Sequence, residues 1–207
     1  MDKTARKALS LLREIKSVTF ATIATIKHGQ PSARIIDVMF VDDDGLFFLT
    51  ARGKSFYRQL QANPCVAICG MNQNYVSVRL VGEVEFCRDK GVVDKIFELN
   101  PMMNQLYPGD KRYVLEGMRL ARGKGEIFDL SFEPPKRDRF ALGGAAVNPP
   151  GYSINDQCSA CGLCADACPV GIITKGDIYQ IDRGRCLECG SCLDVCPEEA
   201  VEPAKGL

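Results

Sequence analysis

The first amphipathic pattern in this chain of 207 residues lies at its N-terminal end. Apolar residues recur there at helical spacing, namely Ala5, Ala8, Leu9, Leu12 and Ile15. Charged residues fill the positions between them, so that one side of the segment is apolar and the other polar. The pattern predicts a helix over residues 2–16 whose small apolar side packs against a protein core.

From residue 18 onward, short runs rich in β-branched and aromatic residues alternate with turn signals. Strands are predicted at 18–26, 32–41, 46–50, 65–70, 75–86 and 126–132. Helices are predicted at 54–61 and 89–99, with a further helical stretch at 111–121. Short strands in series, joined by hairpin turns, are typical of an antiparallel barrel. We therefore predict a mainly β fold with helices.

Eight cysteines near the C-terminal end form two copies of one pattern, 28 residues apart. Each copy reads Cys-x-x-Cys-x-x-Cys-x-x-x-Cys-Pro, which is the bacterial spacing for a pair of [4Fe–4S] clusters. Each iron of a cubane needs one thiolate, and in this motif the fourth ligand crosses over to the other run. We predict one cluster on Cys158, Cys161, Cys164 and Cys196, and the other on Cys186, Cys189, Cys192 and Cys168.

Two other kinds of site use grouped cysteines. A disulfide framework is typical of small secreted proteins, and a zinc ribbon has two Cys pairs separated by a longer gap. Neither accounts for the third cysteine of each run or for the two Cys-Pro endings. Short apolar stretches at 172–173 and 178–181 are predicted to pair as strands. The segment from Pro150 to Leu207 resembles the bacterial two-cluster ferredoxins, which implies a small α+β ferredoxin-like domain.

Charge is distributed unevenly along a chain that carries 26 basic and 26 acidic residues in total. Residues 146–207 contain nine acidic and four basic residues, which leaves 17 acidic and 22 basic residues for 1–145. The Asn-Pro-Pro-Gly sequence at 148–151 is typical of a linker. We therefore predict two domains, 1–145 and 146–207, and expect them to dock through opposite charges.

Several classes of function are not supported. No run approaches the roughly 18 consecutive apolar residues of a membrane span, and residues 1–17 lack the apolar core of a signal peptide. Free cysteines and iron–sulfur ligands favour a reducing, cytoplasmic location. Basic residues are scattered among acidic ones, so nucleic-acid binding is not predicted. The glycine-rich motif of nicotinamide-dinucleotide sites and the Walker phosphate loop are both absent.

A candidate phosphate site follows the third predicted strand. Lys54 and Ser55 lie in the first turn of the helix predicted at 54–61, where free backbone N–H groups and the helix dipole attract anions. Arg34, on a neighbouring predicted strand, can reach the same place. The alternative is a solvent-exposed basic helix start with no ligand.

The barrel region contains an ordered series of short motifs. They are Phe-Ala-Thr-Ile-Ala-Thr at 20–25, Gly-Gln-Pro at 29–31, Arg-Ile-Ile-Asp-Val at 34–38, Leu-Thr at 49–50 with Lys54, and Asn-Pro at 63–64. Over residues 5–132 the chain resembles the FMN-binding split-barrel family that includes pyridoxamine 5′-phosphate oxidase and nitroimidazole-reductase-like proteins.

This resemblance implies an antiparallel split β-barrel that forms a homodimer with FMN at the subunit interface. Carried over by position, it implies that Arg34 and Lys54 contact the FMN phosphate, with Ser55 nearby. The residues it places along the ribityl chain and flavin ring are Ile35, Ile36, Asp37, Val38, Leu49 and Thr50.

Two departures from the family argue against oxidation of pyridoxamine phosphate. Those oxidases carry a Lys five residues after the strand Arg, where this chain has Met39. Their C-terminal Arg/His signature has no counterpart, because His28 is the only histidine. His28 is interpreted as a solvated turn residue. Cys65 and Cys69 share one face of a predicted strand and are expected to be small buried residues.

Together these features predict an iron–sulfur flavoprotein. Clusters carry one electron each, whereas flavin exchanges one or two and can deliver a hydride. The leading hypothesis is an FMN-dependent reductase of a small electron-poor organic substrate, supplied by an external low-potential carrier such as ferredoxin. One alternative is a non-catalytic protein that passes electrons to a partner protein. Another is a barrel that binds haem or a deazaflavin instead of FMN.

Overall fold

A computed structural model describes residues 1–15, 22–27 and 30–203. These residues form an eight-stranded antiparallel sheet with helices, followed by a ferredoxin-like unit with two small two-stranded sheets. The predicted fold class is therefore confirmed. His28 and the predicted strand residues 18–21 lie outside the described residues. Among the residues that are described, no helix has both the length and the apolar character needed to cross a membrane.

The N-terminal pattern forms helix α1, which spans Lys3–Ile15. All five apolar residues that predicted it are fully buried. The helix begins after Asp2, whose carboxylate accepts a hydrogen bond of 2.7 Å from the backbone N–H of Ala5 and so satisfies one free donor of the first turn. Helix α1 packs against the sheet through strands that include β3 (Phe40–Asp42) and β8 (Lys136–Leu142).

The remaining strands of the large sheet are β1 Thr22–Lys27, β2 Gln30–Ile35, β4 Gly45–Ala51, β5 Cys65–Met71, β6 Val76–Cys87 and β7 Leu115–Asp129. Their order is β2-β1-β5-β6-β7-β4-β3, and β8 also pairs with β7. Strands β2 and β3 stand at opposite ends of this order although they are consecutive in the chain. The connection at residues 36–39 therefore joins the two ends of the sheet, around a core that includes Phe48, Leu80 and Phe140.

The prediction of one strand over residues 32–41 is wrong. The chain leaves β2 at Ile35 and re-enters the sheet as β3 at Phe40. The two pieces have different partners, since β2 pairs with β1 and β3 pairs with β4. Continuous β-branched character could not reveal this break, because it depends on which strand each piece meets.

The helix predicted at 111–121 is also wrong. Residues Gly109–Val114 form a 3₁₀ helix, and Leu115 begins β7, a strand of 15 residues. Strand β7 lies in the interior of the sheet between β6 and β4. Pairing on both edges outweighs the helical preference of its Glu, Met, Arg, Leu and Ala residues, because intrinsic propensity is weaker than tertiary context.

The strand predicted at 126–132 is the second half of β7, which ends at Asp129. Strand β8 was not predicted, because its sequence Lys-Arg-Asp-Arg-Phe-Ala-Leu is half charged. Its arginines find acidic partners in the folded protein, which allows them to be buried. The helices predicted at 54–61 and 89–99 are confirmed as α2 (Ser55–Ala62) and α3 (Lys90–Leu99). A short helix that was not predicted, α4, spans Met103–Leu106.

Cys65 and Cys69 share one face of β5, as predicted, but the expectation that they are buried is wrong. Both are exposed, whereas Val66 and Ile68 between them point into the core. The strand alternates strictly, so only one of its two faces meets the barrel interior. The larger aliphatic residues take the inward face.

The ferredoxin-like unit has an internal two-fold pattern that follows its sequence repeat. Each cysteine run leads into a one-turn helix, α5 (Leu163–Asp166) or α6 (Ser191–Asp194). Two small sheets complete the unit: β10 (Ile173–Thr174) pairs with β11 (Gln180–Ile181), and β9 (Tyr152–Ile154) pairs with β12 (Val201–Pro203). The predicted pairing of the apolar stretches near 173 and 181 is therefore confirmed.

Candidate functional site

A cleft of about 540 Å³ opens on the barrel where β2, β4 and α2 meet. It lies beside the connection at residues 36–39, and α4 covers one side. Eight of the nine predicted cofactor residues line it: Arg34, Ile35, Ile36, Asp37, Leu49, Thr50, Lys54 and Ser55. The fold therefore brings together groups from three segments that are far apart in sequence.

Val38 is the exception among the nine. Its side chain is fully buried in the barrel core and does not line the cleft. Sequence reasoning missed several other lining residues, namely Met39, Ala51, Phe56, Met103, Leu106, Tyr107 and Leu115. Met39, Ala51 and Phe56 could have been suspected because they adjoin predicted residues. Nothing in the sequence pointed to cleft residues from α4, because no helix was predicted there.

The N-terminus of α2 faces this cleft with features that suit an anion. Lys54 is the N-cap residue of α2, and its side chain makes no capping hydrogen bond to the first turn. The free N–H groups of the turn and the positive end of the helix dipole therefore remain available to a ligand. Lys54 and Ser55 are both exposed at the cleft, so a cation and a hydroxyl group accompany these donors.

Arg34 is held at the cleft by three contacts. Its guanidinium donates hydrogen bonds to Gln59 Oε1 at 2.6 Å and to Ser32 Oγ at 2.7 Å. It also lies 4.2 Å from the ring centroid of Phe56. Partial burial lowers the pKa of Arg34, but the side chain stays charged because an arginine pKa lies far above neutrality. The result is a fixed positive charge beside α2, in the same cleft as Lys54 and Ser55.

In the ferredoxin-like unit, cysteines from the two runs lie close together. Cys168, from the end of the first run, lines one cavity together with Cys186, Cys189 and Cys192 from the second run. Tyr152, Ile173 and Ile181 form apolar parts of its wall. This is the grouping that the crossover prediction requires for one cluster. Helices α5 and α6 pack against each other, which brings the two runs side by side.

Backbone N–H groups point at several of these sulfur atoms. The N–H of Ala160 lies 3.4 Å from Cys158 Sγ, and the N–H of Glu188 lies at the same distance from Cys186 Sγ. Ala160 and Glu188 have φ values of 57° and 55°, so both loops adopt the same left-handed turn. Such hydrogen bonds stabilise thiolates and raise the reduction potential of an iron–sulfur cluster.

Four cysteines line one cavity, which is the number of thiolates that a cubane cluster needs. Among the described residues, no three His, Cys, Asp or Glu side chains lie close enough to share a single metal ion. A cubane does not require that convergence, because each thiolate binds a different iron. Apolar burial around the sulfur atoms is substantial and raises the pKa of the Cys192 thiol to about 11 in the absence of metal.

The barrel contacts the ferredoxin-like unit through a charged network at β8. Arg137 and Arg139 of β8 form ion pairs with Glu188, which lies between the ligand candidates Cys186 and Cys189. The same two arginines approach Glu126 of β7, which also pairs with Arg79 at 2.8 Å. The predicted docking of a basic barrel against an acidic unit is thus confirmed at the level of individual ion pairs.

Glu188 is held as a carboxylate in this network. Burial opposes its ionisation, but a hydrogen bond of 2.9 Å from the N–H of Gly151 and the ion pairs with Arg137 and Arg139 lower its pKa overall. The linker is fixed at the same place, since Arg183 donates hydrogen bonds to the carbonyls of Pro149 and Pro150. The second cysteine loop is therefore tied to the barrel at several points.

Two family models match the chain in its two parts. One is described as pyridoxamine 5′-phosphate oxidase and matches residues 6–122. The other is described as a 4Fe–4S dicluster domain and matches residues 147–201. The first covers more than half of the chain and includes every element that lines the cleft.

Individual relatives also match the two parts of the chain separately. A ferredoxin from Butyribacterium methylotrophicum is 61% identical over 31 residues, which are 15% of this chain and 56% of the ferredoxin. A pyridoxine/pyridoxamine 5′-phosphate oxidase from Ralstonia pickettii is 32% identical over 90 residues, which are 43% of this chain and 39% of the oxidase. The chain therefore spans about half of the one relative and less of the other.

Among solved structures, a NimC/NimA family protein from Clostridium acetobutylicum is 26% identical with a TM-score of 0.59. The alignment covers 67% of this chain and 92% of that protein, so the likeness is to nearly the whole of the smaller protein. The chain belongs to the pyridoxamine 5′-phosphate oxidase family and carries a 4Fe–4S dicluster ferredoxin domain after its barrel.

Proposed function

We propose that this protein is an iron–sulfur flavoprotein reductase, in which two [4Fe–4S] clusters supply electrons to FMN and the flavin reduces a small electron-poor organic substrate. When bound, the clusters exchange one electron each, and FMN exchanges one or two and can deliver a hydride. The observation that carries the proposal is the cleft, because it brings Arg34, Lys54 and Ser55 to the uncapped N-terminus of α2. The dicluster domain in the same chain supplies the electron source.

Within the cleft, Arg34 and Lys54 would hold the FMN phosphate by charge-assisted hydrogen bonds. The free N–H groups at the start of α2 would complete that cradle. Ile36 and Leu49 offer apolar surface to a flat ring system, and Thr50 offers a hydroxyl group within a largely buried wall. The residues therefore fit a ligand that is anionic at one end and aromatic at the other.

Oxidation of pyridoxamine phosphate is not part of this proposal. Met39 stands where the family's oxidases carry a Lys, and its side chain lines the cleft. A thioether cannot hold a second phosphate by charge. A small substrate without a phosphate group fits this replacement better, and an activated alkene or a nitro compound is the class we propose.

For the clusters, we propose the crossover ligand sets. The cavity that groups Cys168 with Cys186, Cys189 and Cys192 supports the second set directly. By the two-fold pattern of the unit, Cys196 joins Cys158, Cys161 and Cys164 in the first set.

We propose that the domains divide at 145/146. Strand β8 ends at Leu142, and the next two residues, Gly143 and Gly144, both have positive φ values. Reduced thiols and clusters further favour a cytoplasmic location.

Variants of the two cleft cations should lose FMN affinity. Lys54→Ala and Arg34→Ala should each weaken binding by about 1–3 kcal/mol, because each removes one charged partner of the phosphate. Flavin fluorescence titration of the apoprotein measures the change. Arg58→Ala is the matched control, since Arg58 is an exposed cation on α2 that does not line the cleft. Unchanged affinity in both cleft variants would show that the phosphate binds elsewhere.

Electron flow tests the function itself. Reduced ferredoxin should reduce the clusters and then the flavin of the same protein, whereas NADH or NADPH alone should be poor donors because the chain lacks a nicotinamide motif. Stopped-flow spectra under anaerobic conditions follow the two sets of absorbance bands separately. Flavin that stays oxidised while both clusters are reduced contradicts the proposal. Reduced flavin that reacts with a partner protein, but with no small acceptor, identifies an electron carrier instead.

A further inference from the structure

Strand β8 presents two arginines to the ferredoxin-like unit. Phe140 and Leu142 of this strand lie in the barrel core, whereas Arg137 and Arg139 alternate with them and point to the opposite face. Both arginine side chains are nearly buried and form ion pairs with Glu188. An arginine keeps its charge even when it is buried. The barrel therefore holds two permanent positive charges against the second cysteine loop.

Glu188 connects these charges to the candidate cluster ligands. Its backbone N–H lies 3.4 Å from Cys186 Sγ, and the next residue in the chain is Cys189. Its carboxylate pairs with Arg137 and Arg139. The guanidinium groups and a ligand sulfur atom are thus linked through one glutamate residue. At this range a charge in the protein interior acts on a neighbouring redox centre, because the surroundings screen it far less than water does.

The linker packs against this side of the loop. Gly151 lies so close that an added Cβ would stand 2.7 Å from Cys186 Cβ, and its N–H donates a hydrogen bond of 2.9 Å to Glu188 Oε1. Cys186 is 7% exposed. Arg183 adds a further cation, which donates hydrogen bonds to two carbonyls of the linker. Because the loop is packed on this side, water and salt screen the ion pairs weakly.

The first cysteine loop provides a direct comparison. Ala160 occupies the position 28 residues before Glu188. The two residues have φ values of 57° and 55°, and their N–H groups lie 3.4 Å from Cys158 Sγ and Cys186 Sγ respectively. These backbone hydrogen bonds therefore do not distinguish the two loops. Charge does, because the first loop carries a methyl group where the second carries a carboxylate paired with two arginines.

The network as a whole leaves a positive charge beside the second loop. Glu126 is shared by Arg79, Arg137 and Arg139, so that three arginines face two glutamates, Glu126 and Glu188. A carboxylate without these partners would lower the reduction potential of a nearby cluster, because reduction adds one negative charge there. The arginines reverse that effect, since they attract the added electron.

Resting on the crossover ligand sets of the proposed function, we propose that Arg137 and Arg139 raise the reduction potential of the barrel-side cluster, which is the one on Cys186, Cys189, Cys192 and Cys168. An electron that a donor of the ferredoxin class delivers to the other cluster is then favoured on the cluster beside the barrel. One cluster loses this electron and the other gains it, with no bond made and no proton moved. The arginines are positioning residues, because they act on the cluster through Glu188 and through their electric field.

A redox titration of the full-length protein tests this proposal without any substrate. Electron paramagnetic resonance spectra are recorded at a series of applied potentials, and Cys196→Ser identifies the signal of the barrel-side cluster, which it retains. Arg137→Gln and Arg139→Gln should each lower the midpoint potential of that cluster. The ratio of reduced to oxidised cluster at a fixed applied potential should fall by about tenfold, which corresponds to about 59 mV for a one-electron couple. The midpoint potential of the other cluster should not change.

Further variants separate charge from packing. Arg137→Lys keeps the positive charge and should stay close to the wild-type midpoint potential. Glu188→Gln removes the negative charge of a partly exposed side chain and should raise the midpoint potential of the barrel-side cluster. Ala160→Glu adds a carboxylate to the first loop, at nearly the φ value that Glu188 already adopts, and should lower the midpoint potential of the other cluster alone.

Unchanged midpoint potentials in Arg137→Gln, Arg139→Gln and Glu188→Gln, with full iron content, would overturn the proposal, and so would equal shifts of both clusters. If the arginine variants lose iron, Glu188→Gln decides, because a midpoint potential that fails to rise contradicts the electrostatic effect. The proposed function would fail in a different way. Clusters that titrate as expected, while reduced ferredoxin leaves the bound FMN oxidised, would keep this inference intact and overturn the flavin reductase.

Discussion

The Cys168→Ser variant should lose the cluster held by Cys186, Cys189 and Cys192 and keep the cluster on the run to which Cys168 belongs in sequence. The iron and sulfide content should fall from about eight of each per chain to about four, since a cubane that lacks one of its four thiolates is unstable. The physical reason is the shared cavity, in which Cys168 faces the three later cysteines. Iron and sulfide analysis after anaerobic reconstitution measures the change.

Matched variants make the result specific. Cys196→Ser should produce the mirror image, with loss of the cluster on Cys158, Cys161 and Cys164. Cys69→Ser should leave the iron content unchanged, because Cys69 is an exposed residue of β5 outside the motif. The electron paramagnetic resonance spectra of the reduced Cys168→Ser and Cys196→Ser variants should differ, because each variant keeps a different cluster. Loss of the cluster nearest in sequence to Cys168 would contradict the crossover ligand sets.

The ferredoxin-like unit was predictable almost completely, because its structure follows from covalent spacing. Two left-handed turns at Ala160 and Glu188 repeat at the interval of the cysteine runs. Each run is short enough to fix its own backbone, and the apolar strands between the runs form a local hairpin. The pairing of β9 with β12, which joins residues about 50 positions apart, was not predicted.

The barrel was less predictable where pairing partners decide the structure. Helices α1, α2 and α3 and strands β4, β5 and β6 follow local periodicity, and the sequence predicted them. The break between β2 and β3 and the identity of β7 as a strand depend on which neighbours each segment meets. The identity of a strand's neighbours cannot be read from the residues of the strand itself. Intrinsic helix propensity therefore led to the wrong prediction of a helix at residues 111–121.

The candidate cleft shows the same division. Arg34, Lys54 and Ser55 could be named because a helix start and a strand residue carry recognisable chemistry. Helix α4 could not be predicted, because its four residues have neither a capping signal nor a full apolar period. Likewise, overall charge suggested that the two units would dock. It could not indicate that Arg137 and Arg139 make the contact, since β8 itself was not predicted.

Glu126→Gln should destabilise the barrel strongly. The side chain of Glu126 is 1% exposed and pairs with Arg79, Arg137 and Arg139, two of which are themselves almost fully buried. Neutralising it leaves those guanidinium groups without their central counter-charge, which typically costs about 3–5 kcal/mol. Glu188 remains as a partner of Arg137 and Arg139, but its side chain is 32% exposed, so the change still removes the one fully buried counter-charge among these ion pairs.

In a chain of this size that loss lowers the melting temperature by roughly 6–20 °C. Thermal melts of samples with equal cofactor loading measure it, because unequal loading would itself shift the transition. Glu85→Gln is the control: Glu85 pairs with Arg119 at 2.6 Å, but its side chain is 53% exposed. An exposed pair contributes at most about 1 kcal/mol, since water and salt screen it. If the two variants melt at the same temperature, the buried carboxylate of Glu126 does not stabilise the barrel, and strand β8 with the ion pairs to Glu188 is enough to hold Arg137 and Arg139.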